Sequence, residues 1–205
     1  MSTPMKSVTL ALCGASGMAY GLRLLECLLA AGIRVNLLVS QTAHIVAKQE
    51  LGITLPARAS DIERQLAHGT GAGDGQLRVW GRDDWNAPVA SGSNPADAMV
   101  VCPCSMGTLA AIAHGLSDNL IERAADVMLK ENRKLVLVPR ETPFSALHLE
   151  NMLKLARMNA VILPANPGFY HRPQTIEGVV DFVVARILDQ LGVAHALMAR
   201  WGEDR

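Results

Sequence analysis

The chain has 205 residues, of which 50% are apolar, 19% charged and 4% aromatic. That much apolar material fills a sizeable core in one ordinary domain and excludes a disordered or fibrous chain. Lys+Arg and Asp+Glu balance at 19 each, which argues against a general nucleic-acid or anionic-membrane role, and the few aromatics argue against base-stacking platforms.

No apolar run approaches the ~20 residues of a membrane span. The first 17 residues pass directly into a strand-like run and a glycine turn, where a signal peptide would place a cleavage site. Cys13, Cys27, Cys102 and Cys104 form no CxxC pair, so reduced thiols in a cytoplasmic protein are expected. The six histidines show no HxH, HxxH or HExxH spacing, and no metal site is expected.

In chain order, strands are predicted at 8–13, 35–39, 99–102, 135–138 and 161–163. Each is apolar throughout rather than alternating, as in a parallel sheet covered on both faces. Helical spacing marks 18–31, 43–50, 106–114, 120–131, 145–157 and 176–191. The alternation predicts an α/β fold with a doubly wound, mostly parallel sheet, a Rossmann-like three-layer sandwich. Residues 1–205 read as a single domain. An irregular insertion at about 56–97 breaks the rhythm with a short helix (60–67), a Gly-rich stretch and a lone strand candidate (77–80). A short tail runs from 192.

Residues 8–13 lead into Gly14-Ala15-Ser16-Gly17 before the first helix. Glycines let the backbone approach a phosphate, and a helix N-terminus offers free N–H groups. Close packing of helix on strand explains Gly17 and Gly21 equally well. A dinucleotide site wants an acidic residue about 20 positions on, for the ribose. Arg34 stands there, and the second strand ends at Val39-Ser40-Gln41, so a mononucleotide such as FMN fits better. Strand 99–102 ends in Pro103-Cys104-Ser105-Met106-Gly107-Thr108, with Ser105 a natural helix cap. Both hydroxyl-bearing turns open at the carboxyl edge, where open α/β sheets bind ligands.

Charged residues recur near that edge. Arg123 and Lys130 stand two turns apart on one helical face, with Asp126–Lys130 pairing as the plain alternative. Arg140-Glu141 follows strand 135–138 directly. Arg140 suits phosphate or a flavin edge and Glu141 proton movement, while a salt bridge between them is the competing reading. Arg186 lies within an apolar helix, where a buried or half-buried guanidinium needs a carboxylate or a phosphate. The loop 164–173 displays Phe169, Tyr170 and His171.

Six motifs in order resemble the UbiX-type flavin prenyltransferases: Gly14-Ala15-Ser16-Gly17, then CPCSMGTL at 102–109, DNLIERAADV at 118–127, LKE at 129–131, VPRETP at 138–143 and GFYHRPQ at 168–174. The similarity runs from 8 to 201 and is weakest over 56–76. It implies a flavodoxin-like sheet holding reduced FMN and transfer of a dimethylallyl group from dimethylallyl monophosphate to N5 and C6 of the flavin. The prenylated product would serve a UbiD-type decarboxylase. Members of this family were formerly labelled decarboxylases.

The resemblance implies FMN contacts at Gly14, Ala15, Ser16, Ser40, Ser105, Met106, Gly107, Thr108 and Arg140. The prenyl phosphate would meet Arg123, Lys130, Tyr170 and Arg186, with Glu50, Ser91 and Trp201 near it. Glu141, Lys130, Ser16 and Glu50 are the implied catalytic set. Two arginines and a lysine can neutralise a leaving phosphate without a metal. Trp201 would offer an aromatic face to an allylic cation. The family is described as a homo-oligomer, usually dodecameric, whose pocket closes only when subunits meet. Two positions depart from the pattern: Cys13 stands where many relatives carry Thr or Ser, and Asn166 replaces a small apolar residue. Two other readings stay open. An FMN-dependent cysteine-decarboxylase type needs an active-site histidine, for which His44 is the candidate. A non-catalytic flavin carrier needs no phosphate-neutralising set.

Overall fold

The computed structural model describes residues 5–198 and 202. Six strands pair in parallel: β1 (Ser7–Leu12), β2 (Arg34–Val39), β3 (Leu77–Trp80), β4 (Ala98–Cys104), β5 (Lys134–Pro139) and β6 (Val161–Ile162). Their order across the sheet is β3-β2-β1-β4-β5-β6. The chain therefore winds outward through β1, β2 and β3, returns to lay β4 beside β1, and winds the other way. The reversal opens a crevice between the carboxyl ends of β1 and β4, the usual ligand position in such sheets.

Helices cover both faces, which is why the strands are apolar throughout. Leu10 and Leu12 of β1 pack with α1 (Met18–Ala30), α2 (Gln41–Leu51), α3 (Ala59–Thr70) and α7 (Ile176–Leu191). Ala11 and Cys13 face the opposite layer, built by α4 (Met106–Ala113), α5 (Leu120–Lys130) and α6 (Ala146–Arg157). Every residue of β4 is buried. Burying one leucine such as Leu10 or Leu12 contributes about 2 kcal/mol, which helps to anchor β1 beside the crevice.

Side-chain caps start the helices that face the site. Ser40 and Ser105 cap α2 and α4, and Asn119 caps α5. Because Ser40 is the cap, α2 begins at Gln41 rather than at 43, as the apolar spacing had suggested. The stretch 56–97 supplies α3, the edge strand β3 and a short 3-10 turn (Pro88–Ala90). β3 pairs with β2 from Val35↔Leu77 to Leu38↔Trp80. The lone strand candidate thus extends the sheet, and Val89 of the turn is buried in the α5 layer. Part of the Gly-rich stretch is helix: α3 runs to Thr70 and ends on Gly71 with φ 67°. Among the described residues no helix is long and apolar enough to cross a membrane. All four cysteines are free thiols.

Candidate active site at the carboxyl edge

The turn after β1 is shaped by its glycines. A Cβ at Gly14 would lie 2.1 Å from the Thr42 hydroxyl oxygen, so the turn touches the first turn of α2 with no room for a side chain. Gly17 adopts φ 114°, a conformation L residues rarely adopt. Gly21 follows the packing reading, since a Cβ there would lie 2.4 Å from the Cys102 carbonyl oxygen.

The N-terminus of α1 carries an anion from the chain itself. Gly17 N–H donates to both carboxylate oxygens of Glu50, at 3.1 and 3.0 Å, and Met18 N–H donates to one at 2.9 Å. Arg140 crosses from the end of β5 and donates from Nε to the Ser16 carbonyl at 3.3 Å. Burial opposes ionisation of Glu50. The hydrogen bonds from Ser16, Gly17 and Met18 and the charge of Arg140 outweigh it and hold the carboxyl below its ordinary value of 4.5. Ser16, Glu50 and Arg140 thus form one cluster, in which the free N–H groups expected at this helix start are already engaged. Glu141 accepts from Thr142 N–H at 3.2 Å, while Arg140 turns to Ser16.

Beside that cluster lies a cavity of about 180 Å³, lined by Ser40, Thr42, Trp80, Arg82, Thr108 and Asn119 among others. Ser40 and Thr42 hydroxyls are 3.1 Å apart, and Ser105 donates to the Thr108 hydroxyl at 3.0 Å. Each cap serine uses only one of the free N–H groups at its helix start, from Ala43 and Thr108 respectively, so others remain for an anion. A Cβ at Gly107 would meet nothing within 4 Å; the space above α4 is open to a ligand. Met106 is buried in the core and can serve only through its backbone. Below the turn, burial pushes the Cys13 thiol up to about 11, against hydrogen bonds from Thr108 and Ser105. Cys13 is therefore neutral and inert at neutral pH.

The other site candidates stand in two further places. On the α5 side, Arg123 donates from Nε to the Ala90 carbonyl at 3.0 Å and from Nη1 to Asp126 at 2.7 Å. Lys130 pairs with Glu131, not with Asp126. A Cβ on Gly92 would reach both Lys130 and Glu131, so Ser91, Arg123 and Lys130 line the contact between α5 and the 3-10 turn. Lys130 closes α5 on the way to the amino end of β5, whereas Arg140 follows that strand's last residue. The strand between them spans roughly 20 Å at ~3.3 Å per residue. On the α7 side, Tyr170 is half exposed and packs edge-on against His171 and Phe182, with ring centroids 5.6 and 5.7 Å away. Arg186 has the expected carboxylate partner, Asp189 at 2.7 Å, and its side chain is 52% exposed. The α7 helix is apolar on its inner face, and Arg186 points away from that face. Trp201 lies outside the described residues.

Thr42, Trp80, Arg82 and Asn119 line the cavity but were absent from the sequence-predicted set. Their signal was available: a strand at 77–80 placed beside β2 puts Trp80 and Arg82 at the carboxyl edge. His44, the histidine a cysteine-decarboxylase reading requires, faces the Leu55 carbonyl at 3.4 Å and belongs to an outer groove with Ile45 and Lys48.

Comparison with known proteins agrees with this architecture. The model of the Flavoprotein family matches residues 1–188. The flavin prenyltransferase UbiX of Pseudomonas aeruginosa is 57% identical over 203 residues, covering 99% of this chain and 97% of that protein. The crystal structure of AnUbiX (PadA1) in complex with FMN and dimethylallyl pyrophosphate superimposes with a TM-score of 0.86 at 40% identity, covering 98% of this chain and 100% of that one. A dodecameric FMN-dependent Ubix-like decarboxylase from Escherichia coli O157:H7 gives a TM-score of 0.84 at 40% identity, covering 95% and 98%. With full-length identity of this order joined to a hydroxyl-lined cavity at the carboxyl edge of the sheet, the chain belongs to the Flavoprotein family and, within it, to the UbiX-type flavin prenyltransferases.

Proposed function

We propose that the chain transfers a dimethylallyl group from dimethylallyl monophosphate to N5 and C6 of reduced FMN and releases phosphate. The observation that carries the reading is the carboxyl-edge cavity: hydroxyls of Ser40, Thr42 and Thr108 surround it, and the N-termini of α2, α4 and α5 converge on it. That donor set fits the phosphate end of FMN. The ring would lie over the Gly14–Gly17 turn beside Arg140, with Ala15 and Ser16 against it. Bound reduced FMN supplies the electron-rich ring positions that take up the allylic carbons.

The chain's own residues supply the rest. The allylic C–O bond breaks with its electron pair going to phosphate, so the site must hold fixed positive charge. Arg123, Lys130 and Arg186 carry that charge, Tyr170 adds a hydroxyl and Ser91 a second. Glu141, next to Arg140 in the chain, and Glu50, within reach of its charge, take and return protons.

At about 180 Å³ the cavity is smaller than the ~300–1,000 Å³ of complete small-molecule sites. Arg123 and Lys130 lie on the α5 layer, and Tyr170 and Arg186 on the α7 layer across the sheet. A homo-oligomer, dodecameric like the E. coli protein, brings these groups to one FMN by using neighbouring chains. Four free thiols suit a reducing cytoplasm, and a UbiD-type decarboxylase is the proposed recipient of the product.

The test is anaerobic incubation of the protein with reduced FMN and dimethylallyl monophosphate, followed by mass spectrometry. A flavin heavier by one dimethylallyl unit is expected. Unmodified FMN with either the monophosphate or the diphosphate would refute prenyl transfer and return the carrier or decarboxylase readings.

A further inference from the structure

Arg186 is the end of a three-residue chain whose other two members the reaction as proposed leaves unused. It donates from Nη1 to Oδ2 of Asp189 at 2.7 Å, one turn further along α7. The other carboxylate oxygen, Oδ1, stands 3.2 Å from Nε2 of His195. Both oxygens of Asp189 are therefore committed, one to each neighbour.

His195 is brought there by the end of the helix. Gly192 takes φ 69°, Val193 N–H returns to the Leu188 carbonyl at 3.0 Å, and the chain doubles back with Val193 buried. The imidazole side chain is only 10% exposed. Among the described residues its Nδ1 is enclosed without a hydrogen-bond partner. The ring nitrogen facing the carboxylate is assigned as the protonated one, so Nε2 donates and Nδ1 is left bare. A buried ring with an orphaned nitrogen is unfavourable by itself. Among the described residues its hydrogen-bond partner is the carboxylate that holds Arg186.

We infer that Asp189 and His195 are positioning residues for Arg186, fixing its guanidinium so that the Nε–Nη2 edge stays open to the phosphate of the prenyl donor. The inference rests on the proposed reading that Arg186 meets that phosphate. The guanidinium is a planar fork, and the edge left free by Asp189 matches two phosphate oxygens. Arg186 is half exposed, and Asp189 is the charged partner that holds its long side chain in one rotamer. Without Asp189 it loses that geometry, and without His195 the carboxylate is free to turn. The arrangement follows the logic by which second partners orient the ligands of a metal.

The experiment compares Arg186→Ala, Asp189→Ala, His195→Ala and His195→Gln in the assembled protein, reading KM and kcat for dimethylallyl monophosphate and, separately, FMN affinity. Asp189→Ala and His195→Ala are expected to raise KM about tenfold, as loss of an orienting partner does elsewhere, with kcat and FMN affinity little changed. Glutamine, which can donate an amide N–H to Asp189, should recover most of the loss at 195. If Arg186→Ala raises KM while Asp189→Ala and His195→Ala leave it unchanged or lower it, the positioning role is overturned and the proposed reading stands. If Arg186→Ala itself leaves KM unchanged, the reading of Arg186 fails first. Should Asp189→Ala fail to assemble, the His195 pair decides alone: an alanine effect that glutamine does not rescue overturns the inference.

Discussion

Glu50 caps α1 in place of the nucleotide phosphate that a helix start of this kind often binds. Three N–H···O contacts from Gly17 and Met18 and the nearby Arg140 favour its charged form. Its pKa is lowered on folding, so its contribution to stability is complete above the ordinary value of 4.5 and is lost as pH falls through the lower folded value. Glu50→Gln should flatten that part of the pH profile. Thermal midpoints of the two proteins, measured at neutral pH and below 4.5, check this; parallel curves would contradict it. Single residues were read from sequence with mixed success. Ser40 and Ser105 were legible as helix caps, because a serine between an apolar strand and a helix is well suited to cap it. Arg186 was read as buried or half-buried with an anion partner because three apolar residues precede it and two follow; the partner is Asp189, and about half of the side chain faces solvent. Thr42 and Arg82 were missed because their roles depend on which strand neighbours which.

At the scale of elements, α4 joins stability to binding. Ser105 caps the helix through the Thr108 N–H at 3.2 Å and also donates to the Thr108 hydroxyl that lines the cavity. Ser105→Ala removes both contacts. Loss of the cap should cost about 1 kcal/mol, which lowers the thermal midpoint by roughly 2–4 °C in a domain of this size. FMN affinity should fall alongside. Calorimetry and flavin fluorescence titration measure the two effects, and loss of stability with undiminished FMN affinity would remove α4 from the cradle. The elements themselves were legible where apolar runs were long. All five predicted strands formed, and the helix at 176–191 was placed to the residue. Boundaries slipped where a cap or a glycine decided them, as at Ser40 and Gly71.

For the whole molecule the decisive fact is separation. Arg140 and the cavity proposed for FMN stand at the carboxyl edge, Lys130 lies at the far end of α5, and Arg186 sits on the opposite layer. The linear sequence lists these groups without saying that one chain keeps them apart, since that depends on strand order and helix direction. Under the proposed reading an isolated chain presents parts of a site, and a second copy brings Lys130 to the first copy's FMN.

Subunit mixing tests this most directly. Arg140→Ala and Lys130→Ala proteins, each inactive alone, are co-expressed or unfolded and reassembled together, and prenyl transfer to reduced FMN is measured. Sites that take Arg140 from one chain and Lys130 from the other regain both groups, so random mixing in equal amounts should restore about one quarter of wild-type activity. Mixed assemblies that stay as inactive as either parent would show both residues serving the same chain's site and contradict the account.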